Sequence, residues 1–133
     1  MVDQTLIVLK PDSVKKNLVG EILRRFEEKG FVIKKLKMFT MNKNEAERFY
    51  SIHKEKPFFN ELVSFITSGP IVAAVIEGSD AVEKVREIIG VTKPSEAAPR
   101  TVRRDFGTSI TQNAIHASDS LESFIKESKI IFD

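Results

Sequence analysis

Apolar residues fall into a few short runs separated by stretches of helical period. Thr5–Leu9 (TLIVL) is apolar and β-branched, which predicts a strand buried on both faces. Asp12 can cap a helix behind it. There Leu18, Val19, Ile22, Leu23 and Phe26 recur at helical spacing, and Gly30 closes the helix. Phe31–Phe39 reads as a second strand, with Lys35-Leu36-Lys37-Met38 alternating. Asn42 and Glu45 form a capping-box pattern. The helix it opens places Ala46, Phe49, Tyr50 and His53 on one face, and Pro57 breaks it. A short helix with Phe58, Leu62 and Phe65 follows, then a Ser68-Gly69-Pro70 turn and an apolar strand, Ile71–Ile76. Ser79 caps a helix with Ala81, Val82, Val85, Ile88 and Ile89 inside, stopped by Gly90. After a basic loop, Ser120 caps a last short helix, and Ile130-Ile131-Phe132 reads as a closing strand. The predicted order, β-α-β-α-α-β-α-loop-α-β, is that of an α/β or α+β sandwich. The pattern leaves open whether the sheet is parallel or antiparallel.

Length and composition narrow this to one domain over 1–133, with 41% hydrophobic residues for a core. Charged residues make up 30%, nearly balanced at net +2, which excludes a disordered chain. The longest apolar runs, such as Leu6–Leu9 and Ile71–Ile76, fall far short of the roughly 20 residues of a membrane helix. The start lacks a basic region followed by an apolar one, so no leader is expected, and a cytoplasmic protein fits. There is no Cys, which excludes disulfides and Cys-based zinc sites; two His exclude a multi-histidine metal site within one chain. Residues 1–67 hold 13 basic and 9 acidic groups, an excess too weak to make nucleic acid the main partner. Lys93–Arg104 is locally basic and proline-bearing: an ordered loop, with a solvated surface loop as the alternative.

The chemistry must come from side chains. The glycines are scattered, and neither a P-loop nor a dinucleotide fingerprint can be drawn. Candidate phosphate-binding groups are Lys10, Arg86, Thr92, Arg103 and Arg104. Lys10 directly follows the buried strand, a rigid place from which to enter a cleft. His116 lies among small polar neighbours in Asn113-Ala114-Ile115-His116-Ala117-Ser118-Asp119-Ser120. It is a candidate nucleophile or general base, which Glu127 could orient. A lone histidine or a strand-end lysine is, taken singly, more often structural.

Asn113-Ala114-Ile115-His116-Ala117-Ser118-Asp119 is similar to the signature of the nucleoside diphosphate kinases, N-x-x-H-G/A-S-D. Further segments resemble that family in order: Thr5–Asp12, Arg24–Phe31, Tyr50 with Pro57-Phe58-Phe59, Ser68-Gly69-Pro70, Arg86 through Gly90–Pro94, and Thr101–Phe106. The resemblance implies a ferredoxin-like α+β sandwich with a four-stranded antiparallel sheet and covering helices. It implies transfer of the terminal phosphate from a nucleoside triphosphate to a nucleoside diphosphate, ping-pong, through phospho-His116. Lys10, Arg86, Thr92 and Arg103 match the groups that hold phosphates. Phe58 matches the aromatic that stacks on the base, and Asn113 the group at the sugar 3′-hydroxyl. Tyr50, Ser118 and Glu127 match residues that position Lys10 and the histidine. Mg²⁺ is implied as carried by the nucleotide phosphates, with no metal ligand from the protein, and the assembly as a homo-oligomer, tetramer or hexamer.

Two positions depart from the family. Ser13 stands where Gly is usual, and Ala117 where Gly is commoner. Ala117 would matter only if its backbone needed φ > 0. Around the base, Phe58, Leu62 and Ile110 predict an apolar slot of broad specificity, with Asn60 and Glu61 turned to solvent. Two rival readings are a non-catalytic binding module on the same fold and a histidine-phosphotransfer protein without nucleotide specificity. His116 with Lys10, Arg86, Arg103 and Asn113 argues against the first, Phe58 and Asn113 against the second.

Overall fold

The computed structural model describes residues 2–132. Its centre is β1 (Val2–Leu9), flanked by β3 (Ile71–Ser79) and β4 (Ile115–Ala117), with β2 (Val32–Phe39) outside β3. All neighbouring pairs are antiparallel, in the order β2-β3-β1-β4. The family's α+β sandwich is thus the fold observed.

The side-chain alternation of β1 and β3 builds two cores. On one face Ile7, Leu9, Val72, Ala74 and Ile76 meet Ile22 and Phe26 of α2 (Val19–Glu28) and Val85 and Ile89 of α5 (Ala81–Ile89). On the other, Leu6, Val8, Ile71, Ala73 and Val75 meet Phe49 of α3 (Lys43–Phe49) and Leu62 and Ile66 of α4 (Phe59–Ile66). Ile131 of α7 (Leu121–Phe132) joins this second core. Burial on both faces is why β1 and β3 read as unbroken apolar runs rather than alternating ones.

Several local expectations hold for the physical reason given. Asn42 accepts from Glu45 N at 2.8 Å while Asn42 N donates to Glu45 Oε1 at 3.0 Å, a complete capping box. Ser120 Oγ accepts from Ser123 N at 3.0 Å and opens α7. Gly90, at φ 89°, ends α5 in a conformation disfavoured for a residue with a Cβ.

Others are corrected. Ile130-Ile131-Phe132 is not a strand but the last turn of α7, where Ile131 is needed on a helical face. The fourth strand is β4, three residues that carry His116. Asp12 caps nothing; it sits inside α1 (Pro11–Lys15) and spends its carboxylate on Ala114 N. The first helical stretch is split, because Asn17 adopts φ 61° between α1 and α2, a conformation Asn tolerates. Ser79 ends β3 and caps no helix. Pro57 is not the breaker: α3 ends at Phe49 and a 3₁₀ turn over Ser51–His53 follows. The Lys93–Arg104 stretch contains a 3₁₀ turn, Pro94–Glu96, and the start of α6 (Val102–Phe106).

Candidate active site

β4 brings His116 opposite Val8 in the middle of the β1 ladder. The ring is fixed from three sides. Nε2 lies 2.9 Å from Glu127 Oε1, and Ser118 Oγ donates to that same oxygen at 2.7 Å. Phe49 meets the ring edge-on at 4.8 Å between centroids, and Tyr50 at 6.5 Å. A carboxylate oxygen accepts, so in the neutral tautomer that this contact favours Nε2 donates and Nδ1 keeps its lone pair.

Immediately before β4 the backbone is strained. Ala114 has φ 75°, and Ile115 N donates to Asn113 O at 2.9 Å, closing a γ-turn. Such a residue costs on the order of 1–3 kcal/mol unless its surroundings hold it. Here the end of β1 and α1 hold it: Lys10 N and Ser13 Oγ both donate to Ala114 O, at 3.0 and 2.7 Å, and Ala114 N donates to Asp12 Oδ2 at 3.1 Å. The position that demands a left-handed backbone is therefore Ala114, not Ala117, which lies within β4.

Cations collect beside this turn. Lys10 is buried and donates from Nζ to Asn113 Oδ1 at 2.8 Å and to Thr111 O at 3.5 Å. Arg103 is buried too; it donates to Ile115 O at 2.8 Å and Gly90 O at 3.0 Å. Arg86, from α5, donates to Ala117 O at 3.0 Å. Backbone carbonyls of β4 and its approach thus aim the guanidinium groups. Burial, and then the Arg103 charge, push Lys10 down to about 8, with Asp12 pulling partly back. Burial, and then Arg86, lower Arg103 to about 10. Burial raises Asp12, and burial followed by the Glu127 charge raises Tyr50.

A cavity of about 940 Å³ opens over these groups. Lys10, Arg86, Thr92, Arg103, His116 and Glu127 line it, together with Phe58, Leu62 and Ile110. Tyr50 also lines it, and it reaches the histidine by ring packing; no hydrogen bond joins it to Lys10. Asn113 and Ser118 stand behind the wall. Asn113 bridges Lys10 to Thr92 O, donating to the latter at 3.1 Å, and Ser118 holds Glu127. Arg104 is not brought in; it is exposed and donates to Ser95 O and Ala97 O. Glu61, expected in solvent, lines the cavity and accepts from Thr111 Oγ1 at 2.8 Å. The helical period puts it off the Leu62 face correctly, but the cavity opens on that outer side. His53 lines the cavity as well, its ring 5.7 Å from Phe58. Among the described residues no three His, Asp or Glu side chains converge on a point.

Comparison with known proteins agrees with this architecture. Residues 3–133 match the family model described as nucleoside diphosphate kinase. The nucleoside diphosphate kinase of Aquifex aeolicus is 54% identical over 98% of this chain and 94% of its own length. That of Picrophilus torridus is 51% identical over 98% and 95%. A crystal structure of the Aquifex aeolicus enzyme superposes with a TM-score of 0.97 at 53% identity, covering 100% of this chain and 96% of that one. The Halobacterium salinarum enzyme, solved in complex with CDP, gives 0.96 at 40% identity over 100% and 89%.

The Lys10 environment has a measurable consequence. In the folded chain Lys10 releases its proton near pH 8, whereas an ordinary lysine holds it to about 10.5. Between those values the unfolded chain binds the extra proton, so at this group stability rises with pH across the window. Urea unfolding of wild type and Lys10→Met should show the difference shifting in favour of wild type from pH 7.5 to 9.5. A difference independent of pH would mean that Lys10 titrates normally.

Proposed function

The chain belongs to the nucleoside diphosphate kinase family and carries its phosphotransferase activity; from that premise we propose a ping-pong mechanism through a phosphohistidine on His116. The observation that carries this reading is the pairing of His116 Nε2 with Glu127 in a cavity that Lys10, Arg86 and Arg103 also line, which supports Nδ1 as the nucleophile. The Nδ1 lone pair forms a bond to the γ-phosphorus, and the bond from that phosphorus to the β,γ-bridging oxygen breaks. The nucleoside diphosphate leaves with the electron pair. In the second half-reaction a terminal oxygen of another diphosphate takes the phosphoryl group back from Nδ1. Dividing the transfer in this way lets two polyanions use one site in turn.

Lys10, Arg86 and Arg103 neutralise the charge spread over the phosphoryl oxygens, and Thr92 adds a hydroxyl. Their pre-aimed geometry supports this role, because fixed dipoles and charges need no reorganisation during transfer. The family uses a divalent metal ion; here we assign Mg²⁺, carried by the nucleotide phosphates that Lys10, Arg86 and Arg103 would hold. When bound, it supplies further charge neutralisation. Phe58, half open to solvent, stacks on the base, with Ile110 and Leu62 as apolar neighbours. The family resemblance puts Asn113 at the sugar 3′-hydroxyl; the residue is buried behind the wall with its amide engaged by Lys10 and Thr92, so that contact requires the amide to open toward the cavity. The CDP held by the Halobacterium salinarum relative supports a nucleotide in this fold. The assembly is a homo-oligomer, tetramer or hexamer: the outer edge of β2 lacks a neighbour in the sheet, and Leu36 and Met38 on it are more than half exposed.

Incubation with ATP labelled at the γ-phosphate and Mg²⁺ should give an acid-labile, base-stable phosphoenzyme that GDP discharges. His116→Ala should abolish both label and turnover, while His53→Ala should still take up label. Label persisting in His116→Ala would sink the mechanism.

Base preference should be weak. Stacking contributes about 1–3 kcal/mol with little dependence on the base, and Glu61 is an exposed carboxylate that water screens. Across GDP, ADP, UDP and CDP, kcat/KM should spread by no more than about 10²-fold, purines leading. A 10⁴-fold preference would require a buried hydrogen-bonding group that reads one base edge.

Light scattering at micromolar concentration should give several times the 15.0 kDa of one chain. A monomer mass would refute the assembly.

A further inference from the structure

Ser13 is buried, and its hydroxyl is directed at the backbone two residues before the histidine. The Ser13 Oγ–Ala114 O distance, 2.7 Å, is the shortest of the three contacts that hold the Ala114 peptide. That peptide is the tip of the γ-turn. Its neighbours on either side carry the rest of the site: Asn113 receives Lys10 Nζ, and Ile115 O receives Arg103. The turn is thus a common mount for Lys10, Arg103 and His116. An alanine at φ 75° does not keep that shape by preference. Relaxation of the turn would shift all three groups relative to one another while leaving Phe58, which is mounted elsewhere, untouched.

We infer that Ser13, acting with Asp12, is a positioning residue for phosphoryl transfer: its hydroxyl clamps the strained Ala114 turn and so fixes His116 relative to Lys10 and Arg103. The inference rests on His116 being the phosphorylated residue. It gives a role to one of the two positions where this chain departs from the family pattern. Where glycine stands in place of Ser13, no hydroxyl is available for this contact.

Ser13→Ala removes the hydroxyl in a helix-compatible way. The Ala114 carbonyl still accepts from Lys10 N, so no buried acceptor is left bare. In single turnover with γ-labelled ATP and Mg²⁺, the rate of label uptake should fall about 3- to 10-fold, the range of one net hydrogen bond. Nucleotide affinity should stay within about twofold. In an Ala114→Gly background the same substitution should cost less than about twofold, because glycine takes this conformation freely. Ser13→Gly gives the same readout should Ser13→Ala not fold. Equal losses in the two backgrounds, or a lower melting temperature with an unchanged rate, would overturn the inference. A wild-type chain that never takes label would overturn the phosphohistidine reading and this inference with it. A labelled wild type matched in rate by Ser13→Ala would overturn this inference alone.

Discussion

A three-residue strand cannot hold its own register. β4 pairs with β1 over Ile115–Ala117 alone, yet the position of His116 depends on it. What fixes β4 is the docking of the segment ahead of it onto the end of β1. There Lys10 N, Ser13 Oγ and the Asp12 carboxylate bind both polar groups of the Ala114 peptide. Ser118 N donating to Leu6 O closes the other end at 3.1 Å. Because β1 is buried on both faces, the anchor itself cannot move without disrupting two cores. A one-residue slip would turn His116 to the opposite face of the sheet. The precision of the site is thus borrowed from the most buried strand of the fold.

The same arrangement explains why the cations tolerate each other. Lys10, Arg86 and Arg103 would separate if mobile. Each is tied to a carbonyl on or just before β4: Thr111 O, Ala117 O and Ile115 O. The carbonyl dipoles offset part of the burial cost, and the remainder appears as the lowered proton affinity of Lys10 and Arg103. In the proposed reading that remainder is useful. A polyanion entering the cavity relieves the mutual repulsion, so the cost carried by the empty site strengthens binding of the phosphates.

Much of this was legible in the chain because strong physical signals coincide with function. The buried β1 announced itself by its β-branched run, and Lys10 stands where that run stops. The capping box at Asn42 and the stop at Gly90 are local chemistry and need no tertiary context. The histidine and its companions were legible through a resemblance carried by ordered motifs. What failed shares a cause. β4 is too short to show a period, and its flanks are small and polar, so Ile130-Ile131-Phe132 looked the better strand. Asp12 and Ser79 carry cap chemistry, but one is claimed by a distant backbone N–H and the other by the β3 ladder. Glu61 is exposed, as the helical wheel expects, but a wheel has no place for a cleft and so does not show that this residue lines one. Ser13 and Ala114 could not be linked from sequence at all, since a hydrogen bond 101 residues apart leaves no local trace.

The cavity is therefore built from two walls of different character. The residues proposed to hold the phosphates stand on or beside β1, β4 and α5 and are tied by hydrogen bonds to the backbone around β4. The residues proposed to hold the base are Phe58 and Leu62 at the start of α4 and Ile110 on the loop before β4. One side-chain hydrogen bond between these elements, Thr111 Oγ1 to Glu61, crosses the opening, and it is exposed. A weak tie of this kind holds the two sides near one another without fixing their separation, because water competes for it. In the proposed mechanism the reacting atoms must be placed within a fraction of an ångström, whereas a stacked base needs only a flat apolar face. On that proposal, bases of different size can enter while the phosphates meet the same three cations and the same imidazole nitrogen.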